Sequence, residues 1–114
     1  MCIKEKGKLL KIFIGESDQW YGEPLYHVII KKIKENGLAG ATVVRGIEGY
    51  GTNKKVHSTR ILRLSEDLPI VIEVVDTNEN INYILEVLSE IITEGLIIVL
   101  QDVEIYKYAR TNKC

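Results

Sequence analysis

Lys54, Lys55, His57, Arg60 and Arg63 fall within ten residues, and no Asp or Glu stands between Thr52 and Leu64. Cations this dense can hold phosphate or carboxylate groups through charge-assisted hydrogen bonds. They can equally keep a solvated loop soluble. Base-stacking aromatics, which single-strand nucleic-acid binders use, are missing from the segment. The chain enters it through Gly49-Tyr50-Gly51, and glycine lets backbone and ligand approach closely. Two further polar residues stand out against apolar surroundings. Arg45 interrupts Val43 to Ile47, and Glu73 interrupts Ile70 to Val75. Arg45 can reach an anion in a cleft or pair with Glu48 or Glu73. Glu73 can accept from a ligand amine or ribose, or pair with Arg45 as a buried carboxylate.

Other chemistries find little footing. Gly46, Gly49 and Gly51 open no helical pattern, so they are not a dinucleotide fingerprint; a turn with a bulge fits them better. His27 and His57 lack the neighbouring Cys, Asp or second His that zinc requires, and no metal ligand is assigned. No nucleophile sits in a recognisable elbow, and the carboxylates with helical spacing look solvated, so no catalytic residue is assigned and the chain reads as a non-enzyme. Trp20, Tyr21 and Tyr26 can stack a ligand base, but packing over a sheet edge or subunit boundary suits them as well. Cys2 and Cys114 have no metal or redox spacing and read as terminal thiols in a reducing cytoplasm.

Charge is uneven along the 114 residues although the net value is only −1. Of the 15 Lys and Arg, all but Lys107, Arg110 and Lys113 lie in residues 1–63. Leu64 to Tyr106 carries acids and no Lys or Arg. A uniformly basic nucleic-acid binder would not look like this, so a local anion site is the larger expectation and nucleic acid is set aside. No apolar run is long enough to span a membrane, and the N-terminus lacks a secretory pattern.

The elements that must carry these residues come in two similar halves. Lys8 to Ile14 alternates as a strand. Pro24 suits a helix's first turn, and Leu25, Val28, Ile29 and Ile33 share one helical face. Asn36-Gly37 stops that helix, and Ala41 to Ile47 is a second strand. Then Ile70 to Val75 reads as a buried strand. Asp76 with Glu79 resembles a capping box, and Ile81, Ile84, Leu85, Leu88, Ile91 and Ile92 form a helical face ending at Gly95. Leu96 to Leu100 is a strand, with a short final strand around Val103 and Ile105. Two right-handed βαβ units predict an α+β, ferredoxin-like βαββαβ sandwich, an antiparallel sheet with two helices on one face. It would be one domain over residues 1–114, with a core at about 8–108. The opposite sheet face is itself apolar, which predicts that other subunits cover it.

In this arrangement the chain resembles the nitrogen-regulatory P-II superfamily, through Gly37-Leu38-Ala39-Gly40-Ala41-Thr42-Val43, Gly49-Tyr50-Gly51 and Ile72-Glu73-Val74-Val75. It is more similar still to a family of small uncharacterised P-II-like proteins. That likeness rests on Leu10 to Glu16, Gly22 to Tyr26, Val44 to Gly51 and Leu68 to Glu73. The resemblance implies a homotrimer that binds an adenine nucleotide between subunits and contacts an unknown protein partner through a long loop, here about residues 49–68. By the resemblance Thr42, Gly49, Gly51, Glu73 and Val75 line the cleft and Lys107 and Arg110 stand toward phosphate; Arg45, by its own chemistry, and Tyr50, at the base of the loop, are counted with them as ligand-binding candidates. Lys54, Lys55, His57 and Arg60 then belong to the partner loop. Thr93-Glu94-Gly95-Leu96 is short and acidic where P-II proteins carry a glycine- and lysine-rich phosphate loop. The cation-tolerance family, which shares this fold and handles divalent metals, is the alternative, with a protein-interaction module beside it.

Overall fold

A computed structural model describes residues 2–50, 57–58, 68–91 and 96–108, residues 57–58 through their backbone. The elements in order are β1 (Cys2–Gly15), β2 (Gln19–Trp20), β3 (Glu23–Pro24), α1 (Leu25–Glu35), β4 (Thr42–Arg45), β5 (Glu48–Gly49), β6 (His57–Ser58), β7 (Pro69–Thr77), α2 (Asn78–Leu88) and β8 (Ile97–Tyr108). Four strands form one sheet in the order β4-β7-β1-β8, and every neighbouring pair is antiparallel. Two helices on one face of this sheet make the ferredoxin-like α+β arrangement.

Strand alternation divides the sheet into two faces. Leu10, Ile12 and Ile14 of β1 stand opposite Val74, Ile72 and Ile70 of β7, and all six are buried. They meet Leu25, Val28, Ile29 and Ile33 of α1 and Ile81, Ile84 and Leu88 of α2 in one core. Residues on the other face have no helix above them. Phe13, Val44, Val75, Ile97 and Val99 are all exposed there, Ile97 by 54% and Val75 by 45%.

Local chemistry sets the helix ends. α1 closes in a Schellman arrangement: the Gly37 N–H donates to the Lys34 carbonyl and the Leu38 N–H to the Ile33 carbonyl, with Gly37 at φ +77. Leu38 then folds into the core beside Ile33, the apolar contact this motif favours. Pro24 precedes α1 at its N-cap rather than inside the first turn. α2 is capped by Thr77, whose hydroxyl accepts from the Asn80 N–H at 3.2 Å. The cap expected at Asp76 therefore stands one residue later, and the reciprocal bond of a capping box is not made, because the Thr77 N–H and the Asn80 side chain both donate to Asp76.

The sheet's edges differ from the sequence expectation. The two short strands expected near the C-terminus are one strand of 12 residues, β8, and β1 begins at Cys2 rather than Lys8. Each lengthens the other: Cys2 to Lys6 pair with Tyr108 to Glu104, beyond the point where β7 ends opposite Gly7. The ion pairs Lys4–Glu104 and Lys107–Glu5 and the Lys4 contact with the Tyr106 ring cross this two-stranded ribbon. Cys2 is disulfide-bonded, which corrects its reading as a terminal thiol. No helix among the described residues is long and apolar enough to cross a membrane.

Candidate functional site

The start of one strand, the interiors of two others and one connection meet on the helix-free face. Thr42, the first residue of β4, stands opposite Glu73 of β7, and Leu9 of β1 stands opposite Val75. Because these positions share parity, all four side chains leave the sheet on the side away from the helices. The connection that follows α1 folds over them. Leu9, Ala39, Gly40, Ala41, Thr42, Glu73 and Val75 thus line an open groove of about 550 Å³.

Its chemistry is simple. Leu9, Val75 and the alanines offer an apolar wall. Glu73 is half-buried, yet its carboxylate makes no hydrogen bond or ion pair among the described residues. Lys11 lies beside Glu73 in the register, but the two form no ion pair. The groove therefore presents one open acceptor, one hydroxyl at Thr42 and an apolar surface, a set that suits a flat ligand with an amine or hydroxyl at its edge.

One buried carboxylate braces the groove wall. Asp76 is only 7% exposed. Its Oδ2 accepts from the Ala39 N–H at 2.9 Å. Its Oδ1 accepts from the Thr77 N–H at 2.7 Å and from the Asn80 side-chain amide at 2.9 Å. Burial works to raise its pKa, but the donors from Ala39, Thr77 and Asn80, helped by the Lys107 charge, bring it below the ordinary value of 3.8. Sequence reasoning took Asp76 for a helix cap. Its reach to Ala39, 37 residues away, has no sequence signature. Leu9 and Ala39 to Ala41 were likewise not singled out as lining, for small apolar residues advertise no chemistry.

The other anticipated residues divide by position. Thr42, Glu73 and Val75 come together in the groove. Arg45 does not: three residues along β4 it has the opposite parity, opposite buried Ile70, and its guanidinium pairs with Glu16. Neither Glu48 nor Glu73 is its partner. Lys107 lies on the β1–β8 ribbon, paired with Glu5 at 3.1 Å. Gly49 pairs with His57 in a small two-stranded sheet, and Tyr50 beside it is exposed. Gly51, Lys54, Lys55, Arg60 and Arg110 lie outside the described residues, as does the His57 side chain.

The glycines before the basic segment have a structural use. The Gly46 N–H donates to the Pro69 carbonyl at 2.7 Å. A Cβ on Gly46 would stand 2.6 Å from the Pro69 ring, and one on Gly49 3.1 Å. Glycine here lets the start of the 49–68 loop close against its end. Trp20 packs on the core, whereas Tyr21 projects at the β2–β3 turn, 89% exposed and with φ 47. Among the described residues no cluster of three or more His, Cys, Asp or Glu could hold a metal ion.

Comparison with known proteins places this architecture. The family model DUF190, described as an uncharacterised ACR, matches residues 7–105. A UPF0166 protein of Methanocaldococcus jannaschii is 45% identical over 102 residues, covering 90% of this chain and 94% of that protein. A UPF0166 protein of Aquifex aeolicus is 39% identical over 100 residues, covering 88% and 93%. Among solved structures, CPII from Thiomonas intermedia, a nitrogen regulatory PII-like protein seen bound to ADP and bicarbonate, has a TM-score of 0.65. It is 16% identical, with 90% of this chain and 91% of that chain covered. A PII-like signaling protein from Thermus thermophilus has a TM-score of 0.60 at 20% identity, with 90% of each chain covered. At these identities the two structures establish a shared fold.

Proposed function

This chain belongs to the DUF190 family, and on that premise we propose that it is a non-enzymatic, homotrimeric sensor that acts as one unit over residues 1–114. It binds a small anionic metabolite, an adenine nucleotide foremost, at clefts between subunits. The observation that carries this is the Glu73 carboxylate, half-buried in an apolar groove opposite Thr42 and without a partner among the described residues. A half-buried acceptor left open is costly unless something pairs with it. The exocyclic amine of adenine is a donor of the right kind, and the flat ring suits Leu9 and Val75. CPII, with the same fold, has been seen with ADP bound.

Phosphates would be repelled by Glu73, and the groove lining holds no cation of its own. The proposal therefore needs cations from elsewhere: Lys107 and Arg110 toward the C-terminus, Lys54, Lys55 and Arg60 of the loop, or a neighbouring subunit. Assembly and ligand binding are in this way the same requirement. The groove and the loop share a strand, because β4 begins at Thr42 and ends at Arg45, immediately before Gly46 binds Pro69. At about 3.3 Å per residue, the four steps from Thr42 to Gly46 span only about 13 Å. A ligand that orders this edge strand selects one state of the loop base, and with it the loop contacts that an unknown protein partner reads.

Calorimetry with ATP, ADP and AMP tests the reading. Binding of at least one at the stoichiometry of one per subunit is the expected result. No heat and no retention with any of the three overturns the nucleotide assignment.

A further inference from the structure

Asp76 is not itself part of the groove lining, yet its two oxygens tie the connection after α1 to the start of α2. We infer that Asp76 is a positioning residue for the groove: its carboxylate clamps the Ala39 N–H and so holds the wall from Ala39 to Thr42 in its binding shape. Between the helix-end bonds of Gly37 and Leu38 and the ladder that begins at Thr42, the Ala39 bond is what fastens this connection among the described residues. Gly37 and Gly40 flank it, and a Cβ at either would meet nothing within 4 Å. Past Leu38, which is buried in the core, the connection has little packing to hold it otherwise.

The donor set explains why the residue must be an ionised carboxylate. All three partners are N–H donors, one on Oδ2 and two on Oδ1. An asparagine has only one acceptor oxygen. Turned toward the pair at Thr77 and Asn80, it aims its own NH₂ at the Ala39 N–H and releases the wall while keeping the start of α2. The other end of the clamp is equally specific. Because β7 carries Glu73, Val75 and Asp76 within four residues, the groove floor and the clamp of its wall are parts of one strand.

The consequence for ligand affinity rests on the groove being the binding site; the consequence for the wall does not. Amide hydrogen exchange is therefore measured residue by residue on the ligand-free protein, for wild type, Asp76→Asn and Asn80→Ala. Asp76→Asn is expected to speed exchange of the Ala39 amide roughly tenfold or more, the scale of one lost charge-assisted bond, while β1 and β7 stay protected. Asn80→Ala removes a donor from Oδ1 only and is expected to leave the wall unchanged. Equal exchange at Ala39 in wild type and Asp76→Asn overturns the inference, as does equal loosening by Asn80→Ala. Should Asp76→Asn not fold, acid titration of the wild type replaces it: the Ala39 amide resonance must move with the Asp76 carboxyl, and an unmoved Ala39 amide overturns the inference. Calorimetry with the same adenine nucleotides then reads the functional arm, where Asp76→Asn is expected to weaken binding by a similar factor. If no nucleotide binds the wild type, the exchange result still stands or falls alone.

Discussion

Glu73 and Asp76 lie three residues apart and illustrate opposite uses of a carboxylate. Glu73 has an open acceptor, so in the absence of ligand its replacement should be tolerated. Glu73→Gln is expected to leave the urea midpoint within about 0.5 kcal/mol of wild type but to weaken nucleotide binding by roughly ten- to a hundredfold, the range for a hydrogen bond to a charged group. Unchanged affinity by calorimetry would remove Glu73 from the site. Asp76 has the reverse profile. Its folded pKa lies below 3.8, so its contribution to stability is complete above that ordinary value. It is lost as pH falls through the lower folded value. Urea midpoints followed into acid should show a falling limb that Asp76→Ala flattens, at the expense of lower stability at neutral pH. At this scale the sequence was half legible. Glu73 announced itself as the odd polar residue in an apolar strand, and Thr42 and Val75 followed from family likeness. Arg45 stands away from the groove because parity, not proximity in sequence, decides which face a strand residue serves.

The elements that define the groove depend on two glycines with different reasons for being glycine. Gly37 sits at φ +77, where a Cβ meets no neighbour but the backbone conformation itself is unfavourable to other residues. Gly37→Ala is therefore expected to cost about 1 kcal/mol, read from chemical denaturation, without disturbing any packing. Gly46 is constrained by contact instead: the Pro69 ring, which cannot swing away, would stand 2.6 Å from a new Cβ. Gly46→Ala should cost about 1–3 kcal/mol and should pull the base of the loop apart. A midpoint equal to wild type would show that the close approach of Gly46 to Pro69 is not needed. The elements themselves were readable where periodicity was strong, as in α1, α2 and the centres of β1 and β7. The β1–β8 ribbon was legible only at Val103 and Ile105, because its β1 half, Lys4-Glu5-Lys6, is charged throughout and no apolar alternation marks it as a strand. Its order comes from cross-strand pairs between residues about a hundred positions apart, which a local pattern cannot contain.

The molecule as a whole carries an imbalance that one chain cannot resolve. One face of the four-stranded sheet is sealed by α1 and α2, and the other displays Phe13, Val44, Val75, Ile97 and Val99 around Glu73 and Thr42. Contiguous apolar surface of this kind marks an interface. On the proposed trimer it would be hidden by sister chains, with the groove at its margin. Val99 is the sharpest probe, since it is 43% exposed on β8 opposite Lys11 and contributes nothing to the core. In a monomer, Val99→Asp would be a nearly neutral surface change. In a trimer it places a carboxylate in a dry contact, which costs several kcal/mol at each interface. Sedimentation is expected to show the wild type at three times the 13.0 kDa chain mass and Val99→Asp falling toward a single chain, with helical signal retained. Nucleotide binding should fall in parallel with dissociation, because the proposed cleft between subunits would be lost. A wild type that sediments as one chain would dispose of the shared cleft. A dissociated variant that still bound nucleotide would show instead that each groove is sufficient by itself.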